Sequence, residues 1–121
     1  MRAALYARVS THDQQTLVMQ LDVMIAYISD RGWKAIKPIK DVGSRAKDRP
    51  GRASLLKAAR RRELDVIVVW RLDRWGRSVA DLMATLRELT DLGVGFVSLT
   101  EALDLGTPAG RAMAGLLAVF A

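Results

Sequence analysis

Apolar residues form two kinds of pattern along the chain, short runs and longer segments with helical spacing. Four short runs predict strands, over 3–9, 33–40, 65–70 and 94–99. Four segments with apolar residues three and four positions apart predict helices, over 14–31, 50–62, 78–92 and from 107 onward. The β-branched run within DVIVVW, at 65–70, is typical of a strand that is buried on both faces.

The predicted strands and helices alternate in the order βαβαβαβα. This order predicts an α/β fold with a mainly parallel central sheet and helices on both faces. The chain has 121 residues without a repeat or a linker, so we expect one domain over 1–121. The long last helix stays apolar through 117–121 and lacks a stop signal, so we expect that it is truncated there.

Residues with special backbone roles mark the ends of several elements. Ser78 and Asp81 fit a capping box at the start of the third helix. Gly32 and Gly93 fit the left-handed position that follows the end of a helix. Pro38 has no N–H to donate, which predicts that the second strand lies at an edge of the sheet.

Composition argues against several classes of site and location. The chain contains no Cys and one His, His12, so we expect no thiolate nucleophile, disulfide framework or Cys- or His-based metal site. No apolar run approaches the roughly 18 residues of a membrane span. The N-terminus lacks the apolar core of a signal peptide, and we therefore expect a cytoplasmic protein without membrane contacts.

The positive charge of the chain is concentrated in its middle. Between Arg31 and Arg77 there are fifteen Lys and Arg against five Asp and Glu, a local balance of +10 within a net charge of +6. Ten of the fifteen are Arg, whose planar guanidinium matches two phosphate oxygens at once. A solvated charged face is the simplest interpretation, but the excess of Arg favours a surface that binds nucleic acid.

Candidate chemistry follows the ends of the first three strands, where open α/β sheets place their sites. These three segments bring the hydroxyl of Ser10 together with four arginines, Arg8, Arg49, Arg74 and Arg77. A hydroxyl among guanidinium groups fits metal-free phosphoryl transfer, because fixed cations stabilise the charge that develops on the attacked phosphate. Neither GxxxxGK[ST] nor GxGxxG occurs, so the signature of a nucleotide cofactor is missing.

Two other functions remain open on these residues. Asp41, Asp65 and Asp73 are acids near predicted strand ends, which would also suit a metal-dependent phosphotransfer or receiver-like domain. The many arginines nearby argue against a magnesium site. The basic surface would equally serve a DNA-binding module without enzymatic activity.

Five motifs occur in order along the chain: YARVST at 6–11, DxxS at 41–44, RPG at 49–51, LDRWGRS at 72–78 and TPAGR at 107–111. Together they resemble the N-terminal catalytic domain of serine site-specific recombinases of the resolvase and invertase type. The resemblance covers essentially the whole chain, and its most specific part is YARVST combined with LDRWGRS after a buried strand. It does not distinguish a resolvase from an invertase, an integrase or a transposase.

The resemblance implies a role for each matching residue. Ser10 matches the nucleophile that attacks a DNA phosphodiester and leaves a 5′-phosphoserine link, without a metal or a nucleotide. Arg8, Arg74, Arg77 and Arg49 match the arginines around the phosphate, and Asp73 matches a carboxylate that positions them. The supporting polar positions of the pocket are matched by Tyr6, Gln14, Asp41, Ser44 and Asp65.

The resemblance also implies partners and exposes departures. Its members act on DNA as homodimers that pair into a synaptic homotetramer, and they read bases through a C-terminal DNA-binding domain that this chain would lack. Arg45 stands where the family usually has Gly after the Ser of the second loop, and Trp75 stands where a smaller apolar residue is common. Lys57 or Arg60 would supply a further basic residue of the site.

Overall fold

A computed structural model describes residues 1–9, 14–36, 38–42, 50–76, 78–101 and 103–119. The strands are β1 (Arg2–Val9), β2 (Lys34–Ala35), β3 (Ile39–Val42), β4 (Val66–Val69), β5 (Gly95–Ser98) and β6 (Leu103–Asp104). The helices are α1 (Gln14–Asp30), α2 (Pro50–Arg60), α3 (Leu72–Trp75), α4 (Val79–Asp91) and α5 (Pro108–Val119). The predicted α/β fold is confirmed.

The six strands form one sheet in the order β2-β1-β4-β5-β6, with β3 also paired to β1. All pairs are parallel except β5 with β6, where Ser98 lies opposite Leu103. The parallel strands β1, β3, β4 and β5 therefore point their carboxyl ends in one direction. Residues that follow these strands are collected at one edge of the sheet, called here the carboxyl edge.

Alternation along the strands divides the core between the two faces of the sheet. On one face, Ala3, Leu5 and Val68 pack with Met24 and Ile28 of α1. On the other face, the neighbouring strand positions pack against α2, α3 and α4. Because all four residues of β4 are buried, its position as a strand covered on both faces is confirmed. Within the described residues, no helix is long and apolar enough to cross a membrane.

The helix ends follow the predicted signals. The Ser78 hydroxyl accepts the backbone N–H of Asp81 at 3.1 Å and caps α4. Gly32 and Gly93 have φ angles of 71° and 75°, so the chain leaves α1 and α4 through the left-handed region that glycine adopts without strain. The Thr107 hydroxyl accepts from the Gly110 N–H at 3.0 Å and caps α5, which opens on Pro108.

Three elements differ from the sequence prediction. The predicted strand 33–40 is two strands, β2 and β3, because Pro38 between them has no N–H for the sheet. The short helix α3 lies in a segment predicted as loop, and four residues are too few to show helical spacing. The two-residue strand β6 was also missed, although Leu103 is fully buried and Leu105 nearly so.

Gly110 allows α5 to begin directly against β6. A Cβ atom at this position would lie 1.7 Å from the carbonyl oxygen of Asp104, inside the contact distance of any two atoms. Glycine at this position therefore allows the start of α5 to approach the backbone of strand β6 closely.

We predict that Gly110→Ala destabilises the fold even though alanine favours helix. The added methyl group must push α5 away from Asp104, at a cost of about 1–3 kcal/mol or more, as for other overpacked sites. Urea unfolding followed by circular dichroism measures the change. Ala112→Gly, at an exposed position of the same helix, is the control and should cost only about 0.5–1 kcal/mol. A Gly110→Ala protein as stable as the starting chain would refute the close packing.

Candidate active site at the carboxyl edge of the sheet

The carboxyl edge brings together the segments that the sequence singled out. In the strand register, Arg8 of β1 is paired with Asp41 of β3, and Tyr6 of β1 is paired with Val69 at the end of β4. Two residues, Trp70 and Arg71, separate the end of β4 from the start of helix α3, and this helix packs against β1. Side chains from three separate stretches of sequence thus meet at the ends of neighbouring strands.

A buried tyrosine links the strands of this edge to α3. The Tyr6 side chain is completely buried, and its hydroxyl donates to Asp41 Oδ2 at 2.7 Å. The Tyr6 ring meets the Trp75 ring edge to face, with 5.3 Å between centroids and 86° between planes. Because Tyr6 and Asp41 are both inside the protein, they hold the edge in place rather than touch a ligand.

Asp41 also fixes the start of α2. Its Oδ1 accepts the N–H of Gly51 at 2.8 Å, and its Oδ2 accepts the N–H of Arg52 at 3.1 Å. These N–H groups lie in the first turn, where no helical carbonyl can accept them, so the carboxylate caps the helix from outside it. A Cβ on Gly51 would lie 2.6 Å from Ile39 Cγ2 and 2.8 Å from Asp41 Oδ1, so only glycine lets α2 approach this closely.

Two arginines of the predicted set are seated in this edge. Arg8, near the end of β1, and Arg74, in α3, are both half-buried. The Nε atom of each lies below the protein surface, so both side chains are partly enclosed by packing. An arginine held by packing keeps its fork in a defined direction, which suits the recognition of a phosphate.

The amino end of α3 is held by Glu101, which follows β5. One carboxylate oxygen of Glu101 accepts the N–H of Leu72 at 3.3 Å, and the other accepts the hydroxyls of Ser98 and Thr100. Burial raises the pKa of Glu101, but these hydrogen bonds outweigh burial and leave the pKa below its ordinary value. Glu101 is therefore a charged anchor between β5 and the helix that carries Arg74.

The other end of α3 is held by Arg52. This α2 side chain is only 6% exposed, and its guanidinium donates to the Trp75 carbonyl at 3.0 Å and to both carboxylate oxygens of Asp81. Arg52 is one of the fifteen Lys and Arg between Arg31 and Arg77 whose excess predicted a nucleic-acid surface. That assignment is wrong, since this side chain is buried and its donors are engaged within the protein.

The model of the family described as "Resolvase, N terminal domain" matches residues 3–121 of the chain. The chain belongs to the resolvase family. The resemblance noted from the motifs is thereby confirmed for essentially the whole chain.

Several relatives and solved structures agree with this membership. The chain is 39% identical to a DNA-invertase of Escherichia phage P1 over 106 residues, which are 88% of this chain and 53% of that protein. It is 42% identical to the transposon Tn552 resolvase of Staphylococcus aureus over 118 residues, 96% of this chain and 56% of that protein. The N-terminal catalytic domain of TP901-1 integrase superimposes with a TM-score of 0.88 at 29% identity, covering 99% of this chain and 93% of that one. The chain thus spans about half the length of the curated relatives it matches.

In this resolvase-family chain, the structure gathers Tyr6, Arg8, Asp41 and Arg74 at the carboxyl edge. Gln14 is the first residue of α1, and Asp73 lies in α3 directly before Arg74. The remaining predicted residues of this edge lie outside the described residues: Ser10, Ser44, Arg49 and Arg77, together with Arg45.

The structure does not bring Asp65 to this site. Asp65 precedes β4 at the opposite, amino edge of the sheet, where Oδ2 accepts the backbone N–H of Arg2 at 2.7 Å and the Arg2 Nε at 3.2 Å. These hydrogen bonds lower the pKa of Asp65. The implied role of Asp65 in the pocket is therefore corrected to that of an anchor for the start of β1.

Of the two candidates for a further basic residue on α2, Arg60 is excluded. It lies about 15 Å along the helix from the end capped by Asp41, at 1.5 Å per residue. Its guanidinium forms a two-point ion pair with Glu88 of α4, with both contacts at 2.9 Å. Lys57 is exposed on the same helix.

Sequence reasoning missed Arg52 and Glu101 as parts of this arrangement. A signal for Arg52 was present, because position 52 shares a helical face with the buried Leu55, Leu56 and Ala59. Glu101 gave no comparable signal, since it lies in a short turn. In the described part of the chain, no three His, Asp or Glu side chains are grouped so that they could hold a metal ion.

We predict that Tyr6→Phe lowers the free energy of unfolding by about 1–3 kcal/mol, because the buried Asp41 carboxylate loses the hydrogen bond from the Tyr6 hydroxyl. Urea unfolding at neutral pH measures the loss. Tyr27→Phe is the control, since Tyr27 is the other tyrosine of the chain and lies partly exposed on α1. Equal effects of the two changes would show that the bond to Asp41 has no special weight.

Proposed function

We propose that this chain is the catalytic domain of an enzyme that cuts and rejoins DNA by transesterification, with Ser10 as its nucleophile. The observation that carries the proposal is that Arg8 and Arg74 come to one edge of the sheet from β1 and α3, and that Ser10 directly follows the last residue of β1. The names of the relatives, DNA-invertase and transposon resolvase, support the same class of reaction.

The proposed step exchanges one phosphodiester for another. The Ser10 hydroxyl oxygen forms a bond to the DNA phosphorus while the bond from phosphorus to the 3′ oxygen breaks, and the serine proton ends on that oxygen. The products are a 5′-phosphoserine link and a free 3′ hydroxyl. Because a phosphodiester is retained, attack by a 3′ hydroxyl on the link rejoins DNA, and no nucleotide is required as a source of free energy.

The arginines supply what the transferred phosphoryl group needs in this step. Negative charge grows on the oxygens around phosphorus, and fixed guanidinium groups stabilise it without reorganising. In the proposal Arg8, Arg49, Arg74 and Arg77 share this role. Asp73 orients them, and Gln14 and Ser44 supply polar contacts. Tyr6 and Asp41 contribute through the position of α2, as their buried contact supports.

The proposal extends to the whole gene product. We infer that it acts on DNA in the cytoplasm as a homodimer that pairs into a homotetramer when two sites are joined. Base recognition would then belong to a part of the protein other than these 121 residues. The catalytic domain itself would contribute contacts to phosphates, which carry no sequence information directly.

We predict that the intact gene product containing these residues forms a covalent adduct with DNA, and that Ser10→Ala abolishes it. A pool of radiolabelled supercoiled plasmids with random inserts provides the substrate, and label that stays on the denatured protein after nuclease digestion reports the adduct. The broken strands should resist a 5′ exonuclease and be extended by terminal transferase at the 3′ hydroxyl. Ser54→Ala, at an exposed position of α2, is the control and should behave like the starting protein.

The same assay separates the competing functions. An adduct that forms in excess EDTA agrees with the proposal, whereas activity lost in EDTA and restored by magnesium would favour a metal-dependent phosphotransferase. Normal adduct formation by the Ser10→Ala protein would overturn the assignment of the nucleophile. Complete absence of cleavage, with salt-sensitive DNA binding intact, would favour a DNA-binding module.

We further predict that Arg74→Lys slows cleavage by about 10²-fold or more while the Kd for DNA changes little. Lysine keeps the charge but loses the planar fork that holds two phosphate oxygens, and loss of a single transition-state donor costs about 10²–10³ in other enzymes. Arg71→Lys is a matched control because Arg71 is exposed and lies just before α3. Equal cleavage rates for Arg74→Lys and Arg71→Lys would mean that Arg74 supplies only charge.

A further inference from the structure

Arg52 holds an unusual place for an arginine in a protein expected to bind DNA. It is the third residue of α2 and is 6% exposed, with its guanidinium carbon 5.5 Å from the centroid of the Trp75 ring. Nη1 donates to the Trp75 carbonyl at 3.0 Å and to Asp81 Oδ2 at 2.5 Å, and Nη2 donates to Asp81 Oδ1 at 2.9 Å. A single side chain of α2 therefore contacts two other helices, α3 and α4, from inside the protein.

These contacts bind both ends of one backbone segment. Trp75 is the last residue of α3, and Asp81 lies in the first turn of α4, where its N–H is capped by Ser78. The segment 75–81, named here the α3–α4 link, includes Arg77 and begins directly after Arg74. The Arg52 guanidinium thus binds both ends of this link.

The stability of the fold does not by itself call for this arrangement. A buried ion pair must recover the desolvation of both charges, and well-packed apolar residues of similar volume often serve folding as well or better. The ion pair instead fixes an orientation. A two-point contact to a carboxylate and a third hydrogen bond to a carbonyl allow the guanidinium only one orientation.

A second ion pair between the same helices provides a comparison. Arg60 and Glu88 join α2 to α4 with the same two-point geometry, at 2.9 Å for each contact. The Arg60 side chain is 53% exposed and is placed toward the far end of α2, away from the α3–α4 link. The two pairs have the same chemistry and join the same two helices, and they differ in whether they contact the α3–α4 link.

We propose that Arg52, through Asp81 and the Trp75 carbonyl, is a positioning residue for DNA cleavage that fixes the end of α3 against the start of α4, so that Arg74 of α3 meets the phosphate. This inference rests on the proposed function of the site. Arg52 makes no contact with DNA in this role, although its charge and its neighbours in sequence would place it in a phosphate-binding surface.

The first test compares Arg52→Gln with Arg60→Gln in the intact gene product. We expect Arg52→Gln to lower the rate of adduct formation by about 10²-fold, the order of loss that a misplacement near 1 Å causes. The Kd for random duplex DNA should stay within the range shown by Arg60→Gln, whose cleavage rate should change little. A Kd that weakens in proportion to the rate would show that Arg52 is a DNA ligand and overturn the proposal.

The second test separates positioning from stability. In Arg52→Met/Asp81→Leu, apolar side chains replace the ion pair, and Tm should recover most of what Arg52→Gln loses, because neither charge remains buried alone. The cleavage rate should stay low, since the hydrogen bond from Arg52 to the Trp75 carbonyl is lost. Recovery of the rate together with Tm would show that the pair serves only folding.

A third measurement does not depend on activity. Amide hydrogen exchange at Gly76 and Asp81, compared at a temperature well below the Tm of every variant, should accelerate about tenfold or more in Arg52→Gln and stay unchanged in Arg60→Gln, because local opening reports the stability of that segment. Exchange that is unchanged in Arg52→Gln would refute the positioning role. If the starting protein forms no adduct while the exchange result holds, the proposed function fails and the control of the link by Arg52 stands.

Discussion

The carboxylate of Asp41 is the constraint on which the rest of this edge depends. It is buried, and it accepts hydrogen bonds from the Tyr6 hydroxyl and from the backbone N–H groups of Gly51 and Arg52. A buried carboxylate must find such donors, because leaving it unpaired costs far more than any one of these bonds contributes. Meeting this demand fixes the register of β3 on β1 and the starting point of α2 together.

The start of α2 in turn positions the other elements of the site. The capped start of α2 places Arg52, and the Arg52 side chain places the end of α3 and the start of α4. Glu101, carried by the turn after β5, fixes the other end of α3. The short helix α3, which contains Arg74, is therefore held at its amino end by Glu101 and at its carboxyl end by Arg52. Its four residues would be far too few to form a stable helix alone.

The sequence predicted the elements that periodicity can reveal and missed those that depend on a single distant partner. The helices α1, α2, α4 and α5 and the buried strand β4 carry their own signals in spacing, caps and β-branched residues. Asp65 was misplaced because an acid before a strand looks the same whichever end of the sheet it occupies, and only the bond to Arg2 distinguishes them. Arg52 was misjudged because charge indicates exposure until a specific counter-ion such as Asp81 is known.

The burial of Arg52 also changes how the charge of this chain should be counted. Cations that contact phosphates release condensed counterions, and each such contact contributes about 0.9 to the slope of log K against log salt. Arg52 is enclosed with Asp81, Arg60 is matched by Glu88 and Arg2 by Asp65, so three guanidinium groups are already neutralised within the fold. The electrostatic footprint of the domain is therefore smaller than its composition indicates, and its affinity for polyanions should tolerate salt better than a simple tally of basic residues would suggest.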